Sequence, residues 1–349
     1  MAKAKVDTKH VAKEGSPLKL FIGAFGIFGA FSYYGYLMDP IVKFETDSDE
    51  NFGKKYAWFL QLMEAGANVL VGGAGILATQ GGQVSPGLPF SDFGLTGASQ
   101  VMSKAMFTLA QGYGLPFFLA TLVKNAKMLP VMVGSIITTK KMPAARKWAQ
   151  VGLIIAGCVL VTVGKKAKAA KAKNDTAASP EGSSSEFLGF LCLAISLVGD
   201  GFTGGRQKGM QKAYEEKHPK KKLQPYELMT FTNSGMMLVA LGVSLARGEF
   251  FDGLTFLSKH YSELLPMVVK FSFCSAIGQS AIFFTMANFD SLTVTTVTTT
   301  RKIFSVLLGI FQNGKPLEPM QWCGVGVASL GVLGELQEKF GDKEKKHVK

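Results

Sequence analysis

The chain has little of what disulfide frameworks and metal sites are built from. Its 349 residues include four cysteines and four histidines. Cys158, Cys192, Cys274 and Cys323 all fall inside apolar stretches and show no Cys-x-x-Cys spacing, so free thiols packed like small apolar side chains are expected. His10, His218, His260 and His347 lie outside those stretches, which leaves no intramembrane histidine cluster to ligate a metal. An integral zinc enzyme is set aside on that ground, and neither a metal nor a cofactor is expected. The first 17 residues lack a short apolar core followed by a small-residue cleavage site, so the first apolar stretch reads as a retained signal anchor.

Apolar length is plentiful. Hydrophobic residues make up 47% of the chain, with 40 Gly and 27 Phe, and runs of about 20 apolar residues, enough to cross a bilayer, recur along it. Spans are predicted at 18–38, 55–79, 95–114, 117–138, 146–164, 187–207, 226–246, 264–285, 292–311 and 319–338. The expected fold is therefore all-α and integral to the membrane, with ten transmembrane helices. Gly112, Gly114 and Pro116 leave only a tight hairpin between the third and fourth.

The net charge of +13 sits mostly in tails and loops. Lys3, Lys5, Lys9 and Lys13 at the start, with Lys339, Lys343, Lys345, Lys346 and Lys349 at the end, put both termini in the cytoplasm. These lysines read as topology signals and attraction to membrane lipid, not as a nucleic-acid surface. The basic loop from Lys208 to Lys222 falls on the same side, and the first loop, with Glu45, Asp47, Asp49 and Glu50, falls on the other. The connection from Lys165 to Glu186 departs from the rule, since ten spans put its lysines on the far side. Its Ala, Ser, Lys and Gly content predicts a flexible linker. The expected organisation is a tail at 1–17, five helices at 18–164, a basic linker at 165–186, five helices at 187–338 and a tail at 339–349.

Four cations stand deep inside two of the predicted spans. Arg301 and Lys302 are consecutive in the otherwise uncharged stretch from Leu292 to Phe311, and Lys124 and Lys127 sit at similar depth in an earlier span. A charge near the bilayer centre costs roughly 2.5–3.5 kcal/mol on insertion scales, so these residues require a watery cavity or an anionic partner. A phosphate-bearing ligand is one such partner, gripped through two hydrogen bonds by guanidinium and by the point charge of ammonium. Internal ion pairing with Glu64 or Asp200 is the alternative. Lys124 and Lys127, three residues apart, share a helical face, and both cation pairs are expected to line one central chamber.

The two halves echo each other. Lys127 precedes Gly134 by seven residues and Trp148 precedes Gly157 by nine, while Lys302 precedes Gly309 by seven and Trp322 precedes Gly331 by nine. Because five spans is an odd number, two such copies would enter the membrane from opposite sides as inverted repeats, a construction that places a substrate site at the midplane between them. The run from Thr293 to Thr300 resembles a strand in composition, but membrane depth requires a helix there, with its hydroxyls bonding back to the backbone or reaching a ligand. Gly26 with Ala30, and Gly324 with Ala328, are expected to mediate close helix packing.

Several segments resemble one family. Thr298-Thr299-Thr300-Arg301-Lys302, Pro319-Met320-Gln321-Trp322, Gly278-Gln279-Ser280 with Ile282-Phe283, and Asp200-Gly201-Phe202-Thr203-Gly204 are similar to segments of the nucleotide-sugar transporters of solute carrier family 35, subfamily B, in the branch of UDP-galactose transporter homologues. In the first half, Lys124 and Lys127 followed by Pro130-Val131-Met132 match, with Met128 replacing a usual proline. Tyr33-Tyr34-Gly35 matches too, with Asp39 standing for a longer acid, as does Asn68. The resemblance implies the drug/metabolite transporter fold, substrate contact through Lys124, Lys127, Arg301 and Lys302, and contributions from Tyr33, Tyr34, Asp39, Asn68 and Gln279. It also implies exchange of a nucleotide sugar or nucleotide across the endoplasmic reticulum or Golgi membrane. Lys345-Lys346 resembles a retrieval signal of the endoplasmic reticulum, with solvated charge as the alternative. Nothing in the sequence sets an oligomeric state.

The expected mechanism is alternating access, with UDP-galactose or UDP-glucose exchanged for a nucleotide. Four like charges facing each other in an empty cavity would make exchange strict. The rival readings are an ATP/ADP exchanger of the endoplasmic reticulum and a membrane-embedded transferase. The latter lacks an obvious pair of catalytic carboxylates, since Glu64 and Asp200 stand on different spans.

Overall fold

The computed structural model describes residues 16–46, 50–84, 88–139, 142–172, 181–218, 223–289, 291–312 and 317–347. The basic N-terminal tail with His10, Asp47 and Asp49 of the acidic loop, residues 173–180 of the predicted linker and 219–222 of the basic loop lie outside them. The helices in chain order are α1 (Pro17–Val42), α2 (Phe52–Lys55), α3 (Ala57–Gln80), α4 (Phe90–Gly112), α5 (Phe117–Lys124), α6 (Met128–Thr139), α7 (Ala145–Ala172), α8 (Glu181–Lys217), α9 (Pro225–Ala246), α10 (Glu249–Lys259), α11 (Leu264–Asn288), α12 (Ser291–Gln312) and α13 (Pro319–His347). No strand occurs among the described residues, which hold one isolated bridge between Glu45 and Asn51.

Seven helices are long and apolar enough to cross a membrane among the described residues: Pro17–Val42, Ala57–Gln80, Ala145–Gly164, Ser185–Lys217, Pro225–Ala246, Leu264–Met286 and Thr293–Gln312. The chain is thus a multi-pass membrane protein. The other three predicted spans also fall on helices. Of these, α4 carries Gln100, Ser103, Lys104, Thr108 and Gln111 along its length, and α13 carries its charges at the C-terminal end.

The fourth predicted span is a correction. It is not one helix: a 3-10 turn over Asn125–Lys127 separates α5 from α6. Pro130 explains the break, since it has no N–H to give to the carbonyl of Ala126 and its ring crowds that carbonyl. The predicted linker differs as well, because α7 runs on to Ala172 and α8 begins at Glu181. Lys165 to Ala172 contains only Ala and Lys, both strong helix formers, and nothing there stops the helix. The Thr293 to Thr300 run is helical as expected, with the Thr298 and Thr300 hydroxyls donating to the carbonyls of Val294 and Thr296.

Large apolar side chains face outward as well as inward, unlike in a water-soluble bundle. Leu18, Phe21, Phe25, Leu70, Leu77, Phe187 and Val198 point outward, while Gln61, Glu64, Asn68, Ser103 and Asn233 are buried. Lipid offers apolar side chains no penalty, so close packing and internal hydrogen bonds hold the helices together. Small residues permit that packing. A Cβ on Gly235 of α9 would meet the Cα of Gly94 on α4 at 2.8 Å, and one on Gly23 of α1 would overlap Thr285 of α11. Gly114, at φ +92°, turns the chain between α4 and α5, where a side chain would be strained.

Helix partners follow a two-fold pattern. The main contacts include α7 with α13, α4 with α8, α1 with α11, α3 with α9, α4 with α9, α3 with α11, α12 with α1 and α5, and α8 with α5 and α6. Exchanging α1, α3, α4, α5–α6 and α7 with α8, α9, α11, α12 and α13 converts this set into itself. The α7–α13 seam repeats the pattern at single residues. In the register that pairs Trp148 with Trp322, Gly157 against Gly324 and Ala328 becomes Gly331 against Gln150 and Ile154, and both sets of contacts exist.

The α4–α8 and α1–α11 pairs are antiparallel, as shown by Ser99 with Thr203 and Ser103 with Ser196 in the first, and by Gly23 with Thr285 and Tyr34 with Phe271 in the second. One end of the bundle is closed by apolar packing of Leu37, Ile41, Phe52, Tyr56, Phe256, Leu264 and Phe271, with the Phe44 and His260 rings beside them. At the opposite end, where α8 leads into α9, the helices stand around a cavity.

Candidate functional site

The cavity has a volume of about 340 Å³ and is lined from α4, α5, the 3-10 turn, α8, α9 and α11. That falls within the range of about 300–1,000 Å³ typical of small-molecule sites. Its charged side chains are Lys104, Lys124, Lys127 and Asp200. Three lysines and one carboxylate therefore line it.

Lys124 closes α5 and Lys127 ends the 3-10 turn. In a 3-10 turn, residues three apart eclipse, so the break at Asn125–Lys127 stacks these lysines on one face more directly than a continuous helix would. The Lys124 ammonium lies 3.3 Å from an Asp200 carboxylate oxygen, 3.4 Å from the Ser103 hydroxyl and 4.7 Å from the centre of the Phe107 ring. Lys127 is exposed to the cavity and carries no ion pair among the described residues. Ser103 Oγ donates to the other Asp200 oxygen and sits 2.8 Å from the Ser196 carbonyl, so α4 holds the carboxylate of α8 in place.

Lys104 was not among the residues singled out from the sequence. It lies inside the predicted third span, where the same rule that exposed Lys124 would have found it. Its ammonium donates to Glu64 at 2.6 Å. Glu64 is 1% exposed and also accepts from the Ser275 hydroxyl, with the Tyr34 hydroxyl at 3.5 Å. On α9, Thr232 Oγ1 and Asn233 Oδ1 line the cavity, are both buried, and have no hydrogen-bond partner. Such orphaned atoms are costly unless something reaches them.

The predicted site residues are distributed unevenly. Lys124, Lys127 and Gln279 line the cavity, and the segments around Asp200 and Gln279 also supply Thr203, Gly204, Ile282 and Phe283. Arg301 and Lys302 are not among the lining residues, which corrects the expectation of one chamber holding both cation pairs. The Arg301 guanidinium instead lies 4.3 Å from the centre of the Phe31 ring, because α12 packs on α1. Its Nε is buried and without a hydrogen bond. Tyr34 stacks on Phe271 and reaches the site through Glu64. Tyr33 is 42% exposed and stacks on Tyr36, on the outer face of α1.

Asp39 pairs with Lys43 at 2.6 Å at the closed end of the bundle. Asn68 is fully buried, donates to the Glu64 carbonyl at 3.0 Å and leaves its Oδ1 without a partner. A further premise is also corrected: Lys124, Lys127, Arg301 and Lys302 do not face one another as four unopposed charges, since Lys124 has the Asp200 carboxylate and Arg301 and Lys302 do not line this cavity. Among the described residues no group of His, Cys, Asp and Glu is arranged to hold a metal.

A multi-pass helical bundle around a polar internal cavity is the build of a membrane transporter. The profile of the UAA transporter family matches residues 19–339, and the chain belongs to that family. Solute carrier family 35 member B1 of Dictyostelium discoideum is 28% identical over 322 residues, covering 92% of this chain and 77% of that protein. UDP-galactose transporter homolog 1 of Kluyveromyces lactis is 31% identical over 252 residues, covering 71% of each. The Bos taurus solute carrier family 35 member B1 is 32% identical over 223 residues, an alignment that takes in 63% of the bovine protein. A solved crystal structure is similar in fold, with a TM-score of 0.52 and 15% identity, covering 91% of this chain and 97% of that one. These relatives are transporters, which removes the transferase reading.

Proposed function

We propose that this protein is a nucleotide-sugar antiporter of the endoplasmic reticulum or Golgi membrane, exchanging UDP-galactose or UDP-glucose for a nucleotide. The observation that carries the reading is the cavity lined by Lys104, Lys124 and Lys127, in which Glu64 pairs with Lys104, Asp200 pairs with Lys124, and Lys127 has no ion pair among the described residues. A phosphate of the ligand would meet the Lys127 charge and reach the paired lysines beside it, and the orphaned Thr232 and Asn233 atoms would meet uncharged polar groups of the same ligand. Membership of a nucleotide-sugar transporter family and the name of the Kluyveromyces lactis relative supply the substrate class. The two-fold pattern of helix partners supports ten helices in two inverted sets of five, rocking about the cavity by alternating access. In this reading the structure is open at the end where α8 meets α9 and sealed by aromatic packing at the other. Arg301 would enter the site when that packing parts.

The test is counterflow in proteoliposomes loaded with UMP. Labelled UDP-galactose should accumulate, with UDP-glucose and UMP competing. Lys127→Ala should raise the half-saturation concentration about tenfold, the worth of one charge-assisted phosphate contact. Inhibition by ATP and ADP alone would reassign the carrier to adenine nucleotides, and unchanged kinetics in Lys127→Ala would remove the cavity from the mechanism.

A further inference from the structure

We propose that Asp200 is the resident anion of the unloaded carrier: it occupies Lys124 while the cavity is empty, and the phosphate oxygens of the solute displace it. The inference rests on the phosphate-carrying role proposed above for this cavity.

The geometry distinguishes this carboxylate from a structural ion-pair partner. Asp200 and Lys124 are 27% and 21% exposed, so a solute in the cavity reaches both. Their separation of 3.3 Å is long for a charge-assisted bond, which prefers about 2.7–2.9 Å. Asp200 does not depend on Lys124 for its position, because the Ser103 hydroxyl holds its other oxygen and is itself placed against the Ser196 carbonyl. Lys124 can therefore leave without stranding the carboxylate. Lys127, eclipsed with Lys124 across the 3-10 turn, offers an incoming phosphate a first contact that is not held in an ion pair among the described residues. The pair also joins the halves of the chain, α5 of the first to α8 of the second.

Two consequences follow from that arrangement. A solute must compete with Asp200 for Lys124, so the carboxylate weakens apparent affinity. When the solute leaves, Asp200 neutralises Lys124 again, so the empty cavity can close without burying both ammonium groups unopposed. The carrier then returns unloaded, and net uptake accompanies exchange.

The experiment compares uptake into empty proteoliposomes with uptake into UMP-loaded ones, for the full chain and for Asp200→Asn. In the variant the ratio of empty to loaded uptake should fall about fivefold or more, and the half-saturation concentration for UDP-galactose should drop by a similar factor, as removal of a competing internal group requires. Asp200→Glu keeps the anion on a longer arm; it should retain empty uptake and raise the half-saturation concentration. It decides the matter if Asp200→Asn does not reconstitute. A purely structural role would lower both uptakes in proportion, leaving the ratio and the affinity unmoved in both variants, and would overturn the proposal. Absence of counterflow in the unsubstituted protein would instead overturn the transport reading beneath it.

Discussion

Two lysine–carboxylate pairs stand on either side of Ser103 and Lys104 in α4, and they are built to opposite ends. Glu64 is 1% exposed, meets Lys104 at 2.6 Å, and takes a second hydrogen bond from Ser275 across the bundle. Asp200 faces the cavity, meets Lys124 at 3.3 Å, and is held by a serine that Lys124 can leave. The first pair fastens α3, α4 and α11 to one another. The second is exchangeable. Charge type is the same in both, so what separates fastening from exchange is access and the number of independent hydrogen bonds.

Substitutions can break this contrast or sharpen it. Lys104→Met would leave the Glu64 carboxylate buried without its cation and should cost about 3–5 kcal/mol, seen as a large fall in the thermal unfolding midpoint in detergent. Ser275→Ala removes one hydrogen bond to the same carboxylate and should cost about 2 kcal/mol by the same measurement. Lys124→Gln should cost about 1 kcal/mol or less, because Asp200 keeps Ser103 and faces the cavity, although transport falls. Equal losses for Lys104→Met and Lys124→Gln would erase the distinction between the pairs.

Much of this molecule is legible in its sequence, and the parts that are not have physical reasons. Apolar runs of bilayer length mark where helices form, and each of the ten predicted intervals falls on helical chain. The break at residues 125–127 was also written there, in Pro130, but hydropathy averages across it. The extension of α7 over Lys165 to Ala172 shows propensity prevailing where composition suggested a linker. Buried charge pointed to Lys124 and Lys127, and resemblance pointed to Gln279. Which acid each lysine would meet is a tertiary fact, since Asp200 reaches Lys124 only because α4 and α8 pack antiparallel through Ser103 and Ser196. Depth and resemblance both group Arg301 with the lysines, but neither carries the direction in which its side chain points. Its direction, toward Phe31, depends on how α12 turns against α1.

The aromatic closure around Phe44, Phe52, Tyr56, Phe256 and His260 gives the two ends of the carrier different sensitivities. Opening that end wets rings, whereas rearranging the lysine end separates ions. Hydrophobic contacts loosen on cooling and tighten with sulfate, while exposed ionic contacts weaken in any added salt. If the proposed alternating access holds, temperature and salt act as separate handles on the two ends, and inward and outward exposure can be biased without touching the sequence.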